Sequence, residues 1–135
     1  MKPYTIIFIV LLSLFFTLHV SSIHARLSNI RATMTINGFE KGSSGGGPSE
    51  CDGKFHSDNT LVVALSSRWY NRGKICFKFI NIHYKDRSVK ARVVDECDSS
   101  RGCKNNIVDA FKVVWKALGV PESQWGETKV TWSDA

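Results

Sequence analysis

A small, mainly β barrel with two short helices, stapled by disulfides, is the architecture predicted by this 135-residue sequence. Three observations lead there. Short β-rich runs recur between turn-forming clusters, while only two segments carry apolar residues at helical spacing. The connections are mostly too short for parallel crossovers, which disfavours a βαβ sheet. Four cysteines, Cys51, Cys76, Cys97 and Cys103, follow an export-type leader, and an even count in that context favours two bridges.

The leader comes first. Lys2 is the only Lys, Arg, Asp or Glu before Arg26, and an apolar run from Ile6 to Leu18 leads into the small, polar stretch Val20 to Ala25. That is the pattern of a signal peptide over residues 1–25, with cleavage after Ala25 or Ser22. A membrane span needs about 20 apolar residues, more than this run supplies. The expected mature part, residues 26–135, is one domain, large enough for a core and small enough to gain from covalent staples. It carries 17 Lys and Arg against 12 Asp and Glu, so it leans weakly towards anionic partners. No Asn-x-Ser/Thr sequon is present.

Along the mature part, residues 31–38 alternate Ala32, Met34 and Ile36 against Thr33, Thr35 and Asn37, as a half-buried strand does. Residues 40–50, with four glycines and Pro48, form a long rim loop whose far end is tethered by Cys51. Leu61, Val62, Leu65 and Trp69 have helical spacing, so a short helix is expected over 61–70, stopped by Gly73. Residues 75–82 and 89–94 read as two strands joined by the polar segment 85–88. Ala110, Phe111, Val114 and Leu118 make the second helix, ended by Gly119 and Pro121. Residues 129–132 make the last strand.

Chemistry-bearing residues are few. Val89, Ala91 and Val93 share one face of a regular strand, and continued alternation puts Asp95 on that apolar side. There its carboxylate is either satisfied by backbone N–H groups or placed at the mouth of a groove. Asp109 precedes the second helix and is positioned to cap it. If the two strands adjoin, Asp95 and Asp109 would face each other across one groove, the arrangement that acid–base cleavage of a glycosidic bond needs. His56 and His83 have no nucleophile pattern around them and read as surface or turn residues. Trp69 and Trp132 read as core. Trp125 lies in a loop, where an indole serves either as a binding anchor or as packing across a barrel end.

Other chemistries are disfavoured. The cysteine and histidine spacing does not suit zinc, and no metal or other cofactor is expected. Lys85, Arg87, Lys90 and Arg92 alternate with small or apolar residues and read as a solvated strand face, with no interleaved aromatic side chain to stack on bases.

The stretches at 32–39, 45–54, 63–66, 93–99 and 130–135 (ATMTINGF, GGGPSECDGK, VALS, VVDECDS and VTWSDA) resemble the kiwellin, or ripening-related, proteins of plants. More distantly, Val94-Asp95 with Cys97, and Ile107-Val108-Asp109, resemble the barwin and expansin barrels. The resemblance implies a six-stranded double-psi β-barrel, an apoplastic location and a defence role, without enzymatic activity. Longer kiwellins carry a cysteine-rich N-terminal extension, whereas only residues 26–31 separate leader and barrel here. Four cysteines allow three connectivities. Phe79 stands where barwin-like sequences have a second cysteine after Cys76, so the resemblance implies the pairs Cys51–Cys76 and Cys97–Cys103.

The function expected from these readings is a secreted, monomeric, non-catalytic binding module. It would present the loops 42–54 and 99–106, with Lys54 and Trp125 as partner contacts, to a secreted fungal protein and inhibit it. The alternative is a carbohydrate-active protein using Asp95 and Asp109 on a cell-wall polysaccharide. No nucleic acid and, for the mature form, no membrane partner are expected.

Overall fold

The computed structural model describes residues 29–135; the expected leader and its cleavage site lie outside them. Six strands, β1 (Ile30–Ile36), β2 (Val62–Ser66), β3 (Phe79–Tyr84), β4 (Arg87–Cys97), β5 (Ile107–Ala110) and β6 (Glu127–Asp134), close into a barrel in the order β1-β5-β2-β4-β3-β6. Two short helices, α1 (Ser67–Tyr70) and α2 (Lys112–Ala117), complete it. The pairs β1/β5 and β2/β4 are parallel and the other four antiparallel. Short connections therefore do not exclude parallel pairing as such. Each parallel pair joins strands that are not consecutive, so the intervening chain, itself containing strands, is the crossover.

Inward-pointing Met34, Val63, Leu65, Ile80, Ile82, Ala91, Val93, Val108 and Trp132 fill the barrel, and α2 adds Val114 and Trp115 to the same core. A second, smaller cluster of Phe39, Val62, Ala64, Val94 and Phe111 lies on the other side of β2. All five residues of β2 are buried as a result. That explains the first departure from expectation. Residues 62–66 form a strand rather than the start of a helix, and the helix is confined to Ser67–Tyr70. A strand covered on both faces reads as a continuous apolar run, which periodicity cannot tell from a buried helix.

The other boundaries shift for local reasons. Ala110 is held in the sheet opposite Val63 and Ile36, so α2 starts only at Lys112. The strand expected from residue 75 starts at Phe79, because residues 75–78 form a turn in which Phe77 has a left-handed backbone (φ 67°). Lys85 and Asp86 alone connect β3 to β4, Tyr84 pairing with Arg87. The two bridges are Cys51–Cys76 and Cys97–Cys103, the pairing that the family resemblance implies.

A single irregularity in the sheet positions the polar groups on its outer surface. Along β2 and β4, Val63 pairs with Val93 but Ala64 pairs with Asp95, so Val94 is an extra residue in β4. This β-bulge interrupts the alternation. Val94 packs into the outer cluster, and Asp95 joins the outward row of Ala64 instead of ending the apolar inner face.

Candidate functional site

The register sets four residues side by side across the outside of the barrel. Asp95 on β4 pairs with Ala64 on β2, Ala64 with Asp109 on β5, and Asp109 with Thr35 on β1. Two strand spacings, about 10 Å, separate the backbones of the two aspartates, and the small side chain of Ala64 leaves the space between them open. Both aspartates line a cleft of about 580 Å³. Its walls are the two loops singled out in the sequence: Gly45, Gly47, Pro48 and Glu50 on one side, Asp98, Arg101, Gly102 and Cys103 on the other.

Asp109 is not a helix cap. It lies within β5, and the residue preceding α2, Phe111, makes no side-chain cap. Its carboxylate accepts from Thr35 Oγ1 at 2.6 Å and from Asn37 Nδ2 at 2.7 Å, one donor on each oxygen. Asn37 links onward, its Oδ1 accepting from Gly38 N at 2.9 Å and from Ser44 Oγ at 3.1 Å. The glycine-rich loop is thereby tied to the orientation of Asp109. The loop must approach closely there, since a Cβ at Gly45 would collide with the Gly38 carbonyl oxygen. Asp95 is held differently: one carboxylate oxygen accepts from the backbone N–H groups of Glu50 (2.9 Å) and Glu96 (2.8 Å). Both sequence readings of Asp95 therefore hold at once, a carboxylate satisfied by backbone donors and also facing a groove.

Burial pushes both carboxyls above their ordinary range. For Asp109 the hydrogen bonds from Thr35 and Asn37 oppose the shift, and the charge of Asp95 adds to it. For Asp95 the two backbone donors oppose it, and the neighbouring Glu50 and Glu96 add to it. Asp98, at the rim, is held below the range by hydrogen bonds from Ser100. With Glu50 and Glu96, the cleft is lined by five carboxylates and one guanidinium, that of Arg101, and by no aromatic side chain.

A carboxyl raised on folding binds its proton more tightly in the folded than in the unfolded chain. Its contribution favours folding below the ordinary value, about 3.9 for aspartate, and is lost as pH rises through the raised folded value. Asp109→Asn should therefore flatten the fall in stability between about pH 3 and pH 7 relative to wild type, measured as urea midpoints at successive pH values. Parallel profiles for the two proteins would refute the assignment of that slope to Asp109.

The remaining sequence candidates fall elsewhere. Trp125 is turned to packing: its Nε1–H donates to the Val120 carbonyl at 2.9 Å, and its ring lies 6.5 Å from that of Trp115. It props the barrel end and does not project as an anchor. Lys54 is exposed at the far end of the rim loop, outside the residues lining the cleft. His56 pairs with Asp52 at 3.1 Å, and His83 hydrogen-bonds Ser133 at 3.1 Å. Trp132 is wholly buried and packs edge-on against Trp69 at 5.3 Å. Among the described residues no cluster of His, Cys, Asp or Glu could hold a metal ion. Sequence reasoning missed Thr35, Asn37, Ala64, Glu50 and Glu96. The alternation of β1 does put Thr35 and Asn37 on one face, but their pairing with Asp109 is a property of the tertiary register alone.

Comparison with known proteins agrees with this fold. A solved expansin from Clavibacter michiganensis superposes with a TM-score of 0.62 at 18% identity, over 80% of this chain and 50% of that one. A mutant of that expansin has been solved in complex with cellohexaose. The Streptomyces papain inhibitor superposes with a TM-score of 0.59 at 19% identity, over 78% of this chain and 92% of that one. At such identities the likeness is one of fold, the double-psi barrel of the expansin and barwin-like proteins. By sequence the chain is 50% identical over 119 residues to the ripening-related protein grip22 of Vitis vinifera and 46% identical over 119 residues to kiwellin of Actinidia chinensis. Each alignment covers 80% of this chain; it spans 54% and 55% of the length of those relatives. The family model of Kiwellin-1 matches residues 16–135, and the chain is a member of the kiwellin family.

Proposed function

We propose that this kiwellin is a secreted, non-catalytic binding module that acts in the apoplast and seats a basic segment of a secreted fungal protein in its acidic cleft, blocking that protein. The observation that carries the reading is the lining of the cleft, five carboxylates against one guanidinium with two loops as walls. Three of the four oxygens on Asp95 and Asp109 are not needed free for this role: both of Asp109 and one of Asp95 already accept hydrogen bonds. Such carboxylates attract a cationic segment through their field while staying fixed in place. A small barrel of the same fold, the Streptomyces papain inhibitor, is by its name an inhibitor of a protein.

A second reading has its own support. The two raised carboxyls, on strands either side of β2 with only Ala64 between them in the row, and the cellohexaose complex of an expansin suggest a polysaccharide in the cleft, cleaved or loosened with Asp95 and Asp109. The lack of an aromatic platform in the cleft weighs against it.

Affinity capture from infected apoplastic fluid and reducing-sugar release from wall polymers separate the two. Glu50→Lys with Glu96→Lys should abolish capture of a defined basic fungal protein, a loss of about 2 kcal/mol or more if the pair is a hot spot. No variant should release sugar. Sugar release that vanishes in Asp95→Asn and Asp109→Asn, with no protein captured, would overturn the binding-module reading.

A further inference from the structure

The part of the barrel made by β3, β4 and β6 presents chemistry opposite to that of the cleft. Its outward residues are Phe79, Asn81 and His83 on β3, Ser88, Lys90 and Arg92 on β4, and Lys129, Thr131 and Ser133 on β6. Arg31 of β1 continues the row through its pairing with Thr131. At one end, two exposed rings are each covered by a cation: Arg92 lies 4.8 Å from the ring of Phe77, and Lys90 lies 5.2 Å from that of Phe79. Phe77 and Phe79 remain 38% and 46% exposed, and among the described residues they share that state only with Phe55 as large apolar side chains. Phe77 is displayed by a left-handed backbone, a strained conformation for a bulky residue, held by its N–H donating to the Val93 carbonyl at 2.8 Å and by the neighbouring Cys51–Cys76 bridge. At the other end, Arg31, Lys85, Lys129, His83 and Thr131 line a shallow hollow of about 440 Å³ that no carboxylate enters. Asp86 in the turn and Asp134 at the end of β6 border the face.

The aromatic side chains missing from the neighbourhood of Lys90 and Arg92 in sequence are therefore supplied across the β3–β4 hairpin. Lys90 and Arg92 lie on an exposed strand face, as their alternation implies, and two aromatic rings stand beside them.

We propose that this face binds an acidic polysaccharide, a polymer of uronic acids. The carboxylates of the polymer lie against Lys90 and Arg92 at one end and Arg31, Lys85 and Lys129 at the other. The C–H face of a sugar ring packs on Phe77 and Phe79. Hydroxyls meet the hydrogen-bonding side chains Asn81, Ser88, Thr131 and Ser133 that make up the path between. Two competing polyanions fit less well. Single-stranded nucleic acid stacks successive bases on aromatics spread along its track, and here both rings sit at one end. An acidic peptide in extended form gains much of its hold by adding to a free strand edge, and a closed barrel offers none. The face is separate from the acidic cleft, so this inference does not depend on what the cleft binds.

The test is affinity electrophoresis and calorimetry of the purified protein with polygalacturonate, with its fully methyl-esterified form, with cellohexaose, with single-stranded oligothymidylate and with polyglutamate. Wild type should bind polygalacturonate best, with an affinity that falls as salt rises. Lys90→Glu with Arg92→Glu should weaken binding about tenfold or more, as removal and reversal of two paired charges does. Phe79→Ala should weaken it several-fold, and methyl esterification should abolish it. All these side chains are exposed, so melting temperatures should stay near wild type, and Arg31→Glu with Lys129→Glu gives an independent pair. Unchanged binding in both charge-reversal pairs, tighter binding to oligothymidylate or polyglutamate, or no binding to polygalacturonate at low salt would each overturn the proposal.

Discussion

Replacing Cys51 and Cys76 together by serine is expected to lower stability by roughly 3.5 kcal/mol, the chain-entropy value for a loop of this length. The bridge closes a separation of 25 residues, whereas Cys97–Cys103 closes 6, for which the same relation gives roughly 2.3 kcal/mol. More than loop entropy is at stake. Next to the bridge, Cys51 N donates to the Val94 carbonyl at 3.0 Å and Phe77 N to the Val93 carbonyl at 2.8 Å, so the disulfide clamps both segments that lie against the bulge of β4. Glu50, adjacent to Cys51, is one of the two backbone donors to Asp95. The double variant should therefore lose thermal stability by about 15 °C or more, on the scaling for a domain of this size. It should also lose whatever the cleft binds before it unfolds. Calorimetric melting beside ligand titration measures both, and a melting point within a few degrees of wild type would contradict the clamp.

Trp115→Ala should cost about 3 to 5 kcal/mol, the range for deleting a large buried aromatic. Trp115 has no exposed surface, contacts the barrel core through α2, and donates from Nε1 to the Ala110 carbonyl at 3.2 Å. That carbonyl also accepts from Asn37 N at 3.0 Å, one residue from Asp109 and on the residue that holds it. Trp125→Ala should cost distinctly less, because that ring is only half-buried. Urea unfolding of the two variants decides the order, and an equal or larger loss for Trp125→Ala would show that the barrel end is propped the other way round.

Strand alternation makes β1 and the outward position of Thr35 and Asn37 legible in the sequence, and the β-rich runs locate β3, β4 and β6 to within a few residues. The disulfide pairing and the double-psi closure are legible only through the family resemblance, since four cysteines and six short strands admit several arrangements. The features that stay hidden have a common cause. Residues 62–66 look the same as a helix start because both faces of the strand are covered. Asp109 looks like a cap because it stands before a helix, yet Ile107–Ala110 is locked in the sheet by partners more than 40 residues away in β1 and β2. A period of two puts Asp95 on the inner face, and one extra residue breaks that period. Local pattern reports local preference, and these three positions are decided by register.

Removing Val94 would restore strict alternation along β4 and leave Asp95 where it is, because Val63 already pairs with Val93 and the next residue then faces outward opposite Ala64. The loss would be the bulge itself and a wholly buried side chain of the outer cluster. The opposite change erases the site: with Val94 kept and drawn into register opposite Ala64, Asp95 would fall opposite Leu65 and turn into the apolar interior, and Cys97 would leave the side from which it reaches Cys103. The same residues in an unbulged strand would thus build a barrel of the same shape without an acidic cleft.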